Sequence, residues 1–288
     1  MTRQWIRECQ LEIVGAESRG LDFSAFRIAF EVRKTATPSP NDAKIRIYNL
    51  SAGTAQQAKK EFKRVRLKAG YRGAAGIIFD GNIKEARIGR AGTETHLDII
   101  AGDGDESYVH STVSKTLAAG CSCRDVFDAA ATTMREGGVS LGKIDDFDPV
   151  SFPRGRVMFG MSRNFIESAC RTQNMYWSIQ DMKINTLKHK NALPEIFVIS
   201  EDTGMVGVPE EVNEGVKVRC LLNPDLRVDG QVKIESKYIS EIAASAAGLY
   251  RVLQIDFSGD THGDDWHADL ICVAMSGGQT TDSEGRNG

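Results

Sequence analysis

The chain has 288 residues, 41% of them hydrophobic and 26% charged, with a formal net charge of −3. That length allows two or three compact domains, and the balance excludes a whole-molecule polyanion binder and an acidic solvating tail alike. Charge is unevenly placed: residues 1–110 hold 18 Lys/Arg against 14 Asp/Glu and the remainder 18 against 25, which suggests two faces meeting different partners.

The opening MTRQWIRECQLEIVG lacks the long apolar core and small-residue cleavage site of a signal peptide. No apolar run approaches the roughly 20 residues of a bilayer span, so a reducing cytosol is the expected place of folding. Trp5, Arg7, Cys9, Leu11 and Ile13 alternate along one strand, followed by a turn at Gly15–Gly20. The clearest strand puts Phe26, Ile28, Phe30 and Val32 inward and Arg27, Glu31 and Arg33 outward. The prolines of Thr37-Pro38-Ser39-Pro40-Asn41-Asp42 mark a loop, and Lys44–Leu50 is again a strand. Ser51 then caps an expected helix over Thr54–Phe62. Strands are expected at Val65–Tyr71, Gly76–Asp80, Asn82–Gly89 and Thr93–Ala101, with Asp80-Gly81 as a hairpin turn. Many short antiparallel strands and one helix predict a small barrel or sandwich over residues 1–104.

The texture changes after Gly102-Asp103-Gly104-Asp105. Ser122 and Asp125 form a capping box for a helix over Ser122–Met134, whose Val126, Phe127, Ala130 and Met134 make an apolar stripe. A second helix is predicted over Arg163–Thr172, then strands Met175–Gln180 and Lys183–Leu187 joined at Asp181, making residues 105–203 a small α+β module. Residues 204–276 return to β, with strands at Val216–Leu222, Val232–Ser236, Gly248–Gly259 and Trp266–Met275. The polar tail 277–288 has nothing to bury and reads as disordered, and no repeat of fixed short period is evident.

Candidate chemistry reduces to a few clusters. His262 and His267 flank a loop with Asp260, Asp264 and Asp265, but Gly259 and Gly263 give it the make-up of a polar hairpin rather than a metal site. Cys121-Ser122-Cys123 is a lone C-x-C with no second ligand pair, so the residues read as a helix entry. The six cysteines form no disulfide framework, and Cys9, Cys220 and Cys272 lie in apolar runs. Asp103-Gly104-Asp105-Glu106 lacks the alternating ligands of a calcium loop and reads as a tight turn; Asp145-Asp146-Phe147-Asp148 reads as a polar loop. Lys59, Lys60, Lys63, Arg64, Arg66 and Lys68 are the densest basic run, the first four able to share a helix face, and suit a solvated face or an acidic protein partner better than DNA. Phosphate-loop, nucleophile-elbow and zinc-protease motifs are absent. No catalytic, cofactor or metal residue is assigned.

Three runs carry a resemblance: Ile45-Arg46-Ile47-Tyr48-Asn49-Leu50-Ser51 with Leu67–Tyr71 and Ile78–Ile83; Gly204–Pro209 with Gly215–Pro224; and Gly248–Val252 with Gly259-Asp260-Thr261 and Trp266. In this order they resemble baseplate hub proteins of long-tailed phages, the late-control-protein-D and Mu-like tail group. The resemblance implies a mainly β fold in which two tail-tube-like β-barrel domains flank the α+β middle module. It implies a structural, non-enzymatic virion protein assembled in the host cytoplasm. A homotrimer would form a pseudo-sixfold ring joining the tail tube to the central spike, touching the tape-measure protein and passing DNA without specific binding. No cofactor or small-molecule substrate is implied, and the shortness of the chain implies that the peripheral modules of larger hubs are missing. Two other readings are a tail-associated peptidoglycan hydrolase and the hub-like part of a contractile secretion spike.

Overall fold

A computed structural model describes residues 6–15, 20–51, 53–56, 62–212, 215–236 and 249–275. Seven strands come first: β1 (Arg7–Gly15), β2 (Gly20–Asp22), β3 (Ile28–Thr35), β4 (Asp42–Tyr48), β5 (Phe62–Tyr71), β6 (Gly76–Ala91) and β7 (Glu94–Gly102). The middle holds α1 (Asp105–His110), β8 (Thr112–Leu117), α2 (Cys123–Glu136), β9 (Ser140–Ile144), β10 (Arg156–Met161), α3 (Ser162–Thr172), β11 (Met175–Gln180) and β12 (Lys183–Lys188). The last stretch is β13 (Ile196–Ile199), β14 (Met205–Val212), β15 (Gly215–Leu221), β16 (Gln231–Ile234), β17 (Leu249–Asp260) and β18 (Trp266–Ala274). The fold is mainly β, with α1, α2 and α3 gathered in the middle.

Thirteen strands share one sheet, in the order β14-β15-β18-β17-β3-β4-β7-β6-β5-β1-β2, with β16 pairing β17 and β13 pairing β16. The first and last stretches are therefore hydrogen-bonded to each other: β17 runs antiparallel to β3, from Gln254 opposite Thr35 to Asp260 opposite Ala29. Period-2 alternation in β3 buries Ile28, Phe30 and Val32, and the same alternation in β18 buries Ala268, Leu270 and Cys272. One hydrophobic cluster spans both stretches; a second, around Phe127, Trp177, Ile179 and Ile184, holds the middle.

The two β stretches repeat one topology. Six strands of the first lie in the order β3-β4-β7-β6-β5-β1, and the six of the last in the order β14-β15-β18-β17-β16-β13. Taken in chain order the correspondence is one to one. Each matched pairing is antiparallel except the outermost, where β1 is antiparallel to β5 but β13 is parallel to β16. Even the irregularity matches: register slips between Ile83 and Glu85 where β6 meets β7, and between Val252 and Gln254 where β17 meets β18.

The middle follows local rules. Ser122 Oγ accepts the Asp125 amide (3.1 Å) while the Asp125 carboxylate accepts the Ser122 amide (2.7 Å), completing the capping box of α2. Val126, Phe127, Ala130 and Met134 are buried as its stripe requires, and Ile166 and Ala169 of α3 face them. The β11–β12 hairpin turns at Asp181-Met182, both at positive φ (52° and 63°).

Several expectations are corrected. Asp80-Gly81 is no turn: β6 runs unbroken, pairing β5 through its first half and β7 through its second. Asp80 stays in the strand opposite Arg66, clamped by Arg64 (2.6 Å) and Arg66 (3.1 Å). Gly81 serves close approach, because a Cβ there would lie 2.6 Å from the Gly102 carbonyl oxygen. The reversal comes instead at Gly92, with φ 62°. The helix after Ser51 is described only over 53–56, with Ser51 Oγ accepting the Thr54 amide; residues 57–61 lie outside the described residues, and Phe62 already opens β5. Lys63 and Arg64 thus stand in a strand, where neighbours point to opposite faces, and not on one helix face; Lys59 and Lys60 lie outside the described residues. Trp5, the turn residues 16–19 and the tail from 276 are also outside them. Strands β8, β9, β10 and β13 and helix α1 have four to six residues each, too few to display a period.

Candidate functional site

The repeat extends to side chains. In the first stretch Arg46 of β4 grips Asp98 of β7 through two hydrogen bonds (2.6 and 3.0 Å), with His96 Nε2 3.6 Å from the same carboxylate. In the last, Arg219 of β15 grips Asp269 of β18 (2.7 and 2.9 Å), with His267 Nε2 3.7 Å away. Both pairs sit directly opposite in register. Two residues along, Lys44 faces Glu31 of β3, and Lys217 faces Glu210 of β14. The hydrogen bond from Arg46 holds Asp98 below its ordinary pKa; burial pushes Asp269 up, but Arg219 and His267 outweigh it and Asp269 is also lowered.

These pairs line a shallow depression of about 660 Å³ across the seam between the stretches, with Arg46, Asp98, Arg219, Asp260, His267 and Asp269 on its walls. Ion pairs cross the seam itself: Arg33 to Asp256 and Arg27 to Asp260, each at 2.8 Å. Asp98, Asp260 and Asp269 are each committed to an arginine of the same chain.

Two buried carboxylates tie the middle to the sheet. Asp103, fully buried after β7, accepts the amides of Asp181 and Met182 (2.6 Å each) and the side-chain amide of Asn41 (3.2 Å). Lys34 of β3 reaches Asp181 at 2.7 Å. Burial pushes Asp103 up to about 6. Asp229 accepts the Tyr176 hydroxyl (2.6 Å), and burial raises it likewise to about 6. The acidic turn is therefore a lock on the β11–β12 hairpin, a role its composition did not reveal.

The remaining sequence candidates are dispersed. His262 stays in the β17–β18 loop, its amide bonded to Asp260, while His267 lies in β18 beside Asp269. Asp264 offers its carbonyl to Arg7. Cys123 is buried at the start of α2, Cys121 half-buried beside it, and burial raises the thiols of Cys9, Cys170 and Cys220 to about 12. Asp145 and Asp148 anchor the end of β12 through the Lys188 amide and ammonium. Among the described residues no group of three or more His, Cys, Asp or Glu stands together as a metal cradle.

Several edges of the sheet are bare among the described residues: β2 and β13 each pair on one side only, and two longer edges concern the repeat. β14 ends the strand path, with Val206, Val208 and Val212 exposed. Beyond its slip β6 pairs only with β7, leaving the other edge of Glu85–Ala91 unpaired. Unpaired edges of this kind are templates for another strand.

A duplicated β stretch that carries an α+β insert in one large sheet is a fold shared with solved phage-tail and secretion-system proteins. The prophage MuSo2 43 kDa tail protein from Shewanella oneidensis superposes with a TM-score of 0.66 at 7% identity, covering 93% of this chain and 97% of that one. The tail protein from Neisseria meningitidis MC58 does so at 0.64 and 7%, with the same coverage. An Escherichia coli component of the type VI secretion system, similar in structure to the T4 tail proteins gp27 and gp5, scores 0.60 at 9% identity over 92% of this chain and 76% of that one. No curated protein matches by sequence. Residues 14–272 match the family Baseplate hub gp41, and the chain belongs to that family. It is a structural component of a phage tail baseplate.

Proposed function

We propose that the chain is the ring-forming hub subunit, three copies of which make a pseudo-sixfold annulus between the tail tube and the central spike. The observation that carries this reading is the repeated topology with its matched Arg46–Asp98–His96 and Arg219–Asp269–His267 clusters. A subunit with two near-equivalent faces lets three copies satisfy a sixfold partner on one side and a threefold partner on the other. On this reading residues 1–104 are one tube-like domain, residues 204–276 together with β13 are the other, and the rest of the segment 105–203 is the α+β middle module. The ring acts without catalysis, needs no cofactor, meets the tape-measure protein, and passes DNA without gripping it. A reconstruction of the baseplate tests this: six similar β units from three chains are expected around the axis. A single copy, or a ring with six copies of this chain, would refute it.

A further inference from the structure

The repeat assigns a partner to two of the bare edges, those of β14 and β6. Within one chain, the β17 edge facing away from β18 is covered by β3, with Asp256 opposite Arg33 and Ser258 opposite Glu31. The counterpart of β17 is β6, and the counterpart of β3 is β14. Arg87 stands where Asp256 does, since they face Asp98 and Asp269; Val212 stands where Arg33 does, since they face Gly215 and Asp42. Among the described residues, the seam that is filled once within the chain is thus vacant once, half on the β6 edge and half on the β14 edge. Side chains agree: Phe257 is 1% exposed beneath β3, whereas its counterpart Ile88 is 41% exposed. The two halves also differ in charge: Glu85–Ala91 of β6 carries Arg87 and Arg90 against Glu85, which pairs Arg87, while β14 carries Glu210 and Glu211.

We propose that β14 of one copy pairs antiparallel with Glu85–Ala91 of β6 in a second copy of this chain, setting Val212 opposite Arg87 and Glu210 opposite Gly89. The contact is heterologous, so it propagates head to tail, and a rotation per copy that divides the circle closes it into a ring. Pro209, lying in the β14 bulge, has no amide to donate and confines the pairing to the residues on either side of it. This assignment rests on the hub reading and goes beyond it by naming which edges meet and in what register.

The test uses full-length chains, in concentrated solution and in assembled tails. Chains carrying Arg87→Cys and chains carrying Val212→Cys, mixed and oxidised, are expected to give a covalent pair that neither variant gives alone. The double variant is expected to give closed oligomers of the ring's copy number. Arg87→Glu, which sets like charges against Glu210, is expected to weaken assembly about tenfold, and Glu210→Lys to restore it. If tails carry a ring of this chain yet the mixed variants stay uncoupled and Arg87→Glu assembles normally, the edge assignment fails while the hub reading survives. If assembled tails contain no ring of this chain, the hub reading fails and the assignment with it.

Discussion

Phe257 and Ile88 hold the same position in two copies of one topology, one sealed under a neighbouring strand and the other left open. The difference teaches that alternation selects the face a side chain occupies, while the strand alongside decides whether that position is sealed. In the last stretch the covering strand is supplied by the first stretch of the same chain. In the first stretch no described residue supplies it. The Arg-Asp-His clusters, by contrast, are alike in both, because their partners lie on strands that both stretches contain.

The largest effect that could break this comparison is a matched pair of truncations. Phe257→Ala removes a buried ring from beneath β3 and should cost about 3–5 kcal/mol in the isolated chain. Ile88→Ala removes a side chain already in contact with water and should cost under about 1 kcal/mol. Urea unfolding of both variants measures the gap. Equal costs would mean that the β6 edge is covered in the free chain.

How far the sequence foretold this contrast follows from where its information lies. Strand alternation at Ile28–Val32 and Val216–Leu222, the Ser122–Asp125 box and the stripe of α2 are local signals found where expected, although Phe26 lies in the bend before β3 and not in the strand. The repeat was written in the sequence too, as Lys44-Ile45-Arg46 against Lys217-Val218-Arg219 and His96-Leu97-Asp98 against His267-Ala268-Asp269, displaced by 173 and 171 residues. A search for short periods passes over so long a displacement. Asp80-Gly81 misled because turn composition and close strand approach both favour glycine, and only the Gly102 carbonyl distinguishes them. The role of Asp103 depends on a hairpin nearly eighty residues later, which no window of local sequence contains.

The middle module sharpens the comparison through pH. Asp103 and Asp229 have folded pKa values raised to about 6, above the ordinary 3.8, so each disfavours folding while ionised. Their penalty is full above pH 6 and is relieved as pH falls toward 4, which is opposite in sign to Asp98 and Asp269. Between pH 7.5 and 5 the chain should therefore gain stability, on the order of 1 kcal/mol per buried carboxylate. Thermal unfolding across that range checks it. Asp103→Asn should lower stability at every pH, since its amide group faces an Asp181 or Met182 N–H, and should flatten part of the slope. A variant as steep as the wild type would remove Asp103 from the account.

The smallest effect is the most direct measure of equivalence. Arg46→Met and Arg219→Met each dissolve one bidentate pair on half-exposed strands, leaving Asp98 or Asp269 beside a histidine. Exposed pairs of this kind contribute about 0.2–1 kcal/mol, and matched geometry predicts matched losses. Asp98 and Asp269 lie below their ordinary pKa, so their contribution is present above about pH 4 and lost as pH falls through their folded values. Each variant should therefore differ from the wild type at pH 6 and converge on it in strong acid. Concentration separates the two arginines if the seam is completed between copies. Arg219 lies on β15, next to the strand that would meet the second copy, and Arg46 lies on β4, next to the strand already covered. In dilute solution the two losses should be equal, and under assembling conditions Arg219→Met should lose more, which unfolding followed over a range of chain concentrations would read. Equal losses at every concentration would place the β14 edge outside the assembly.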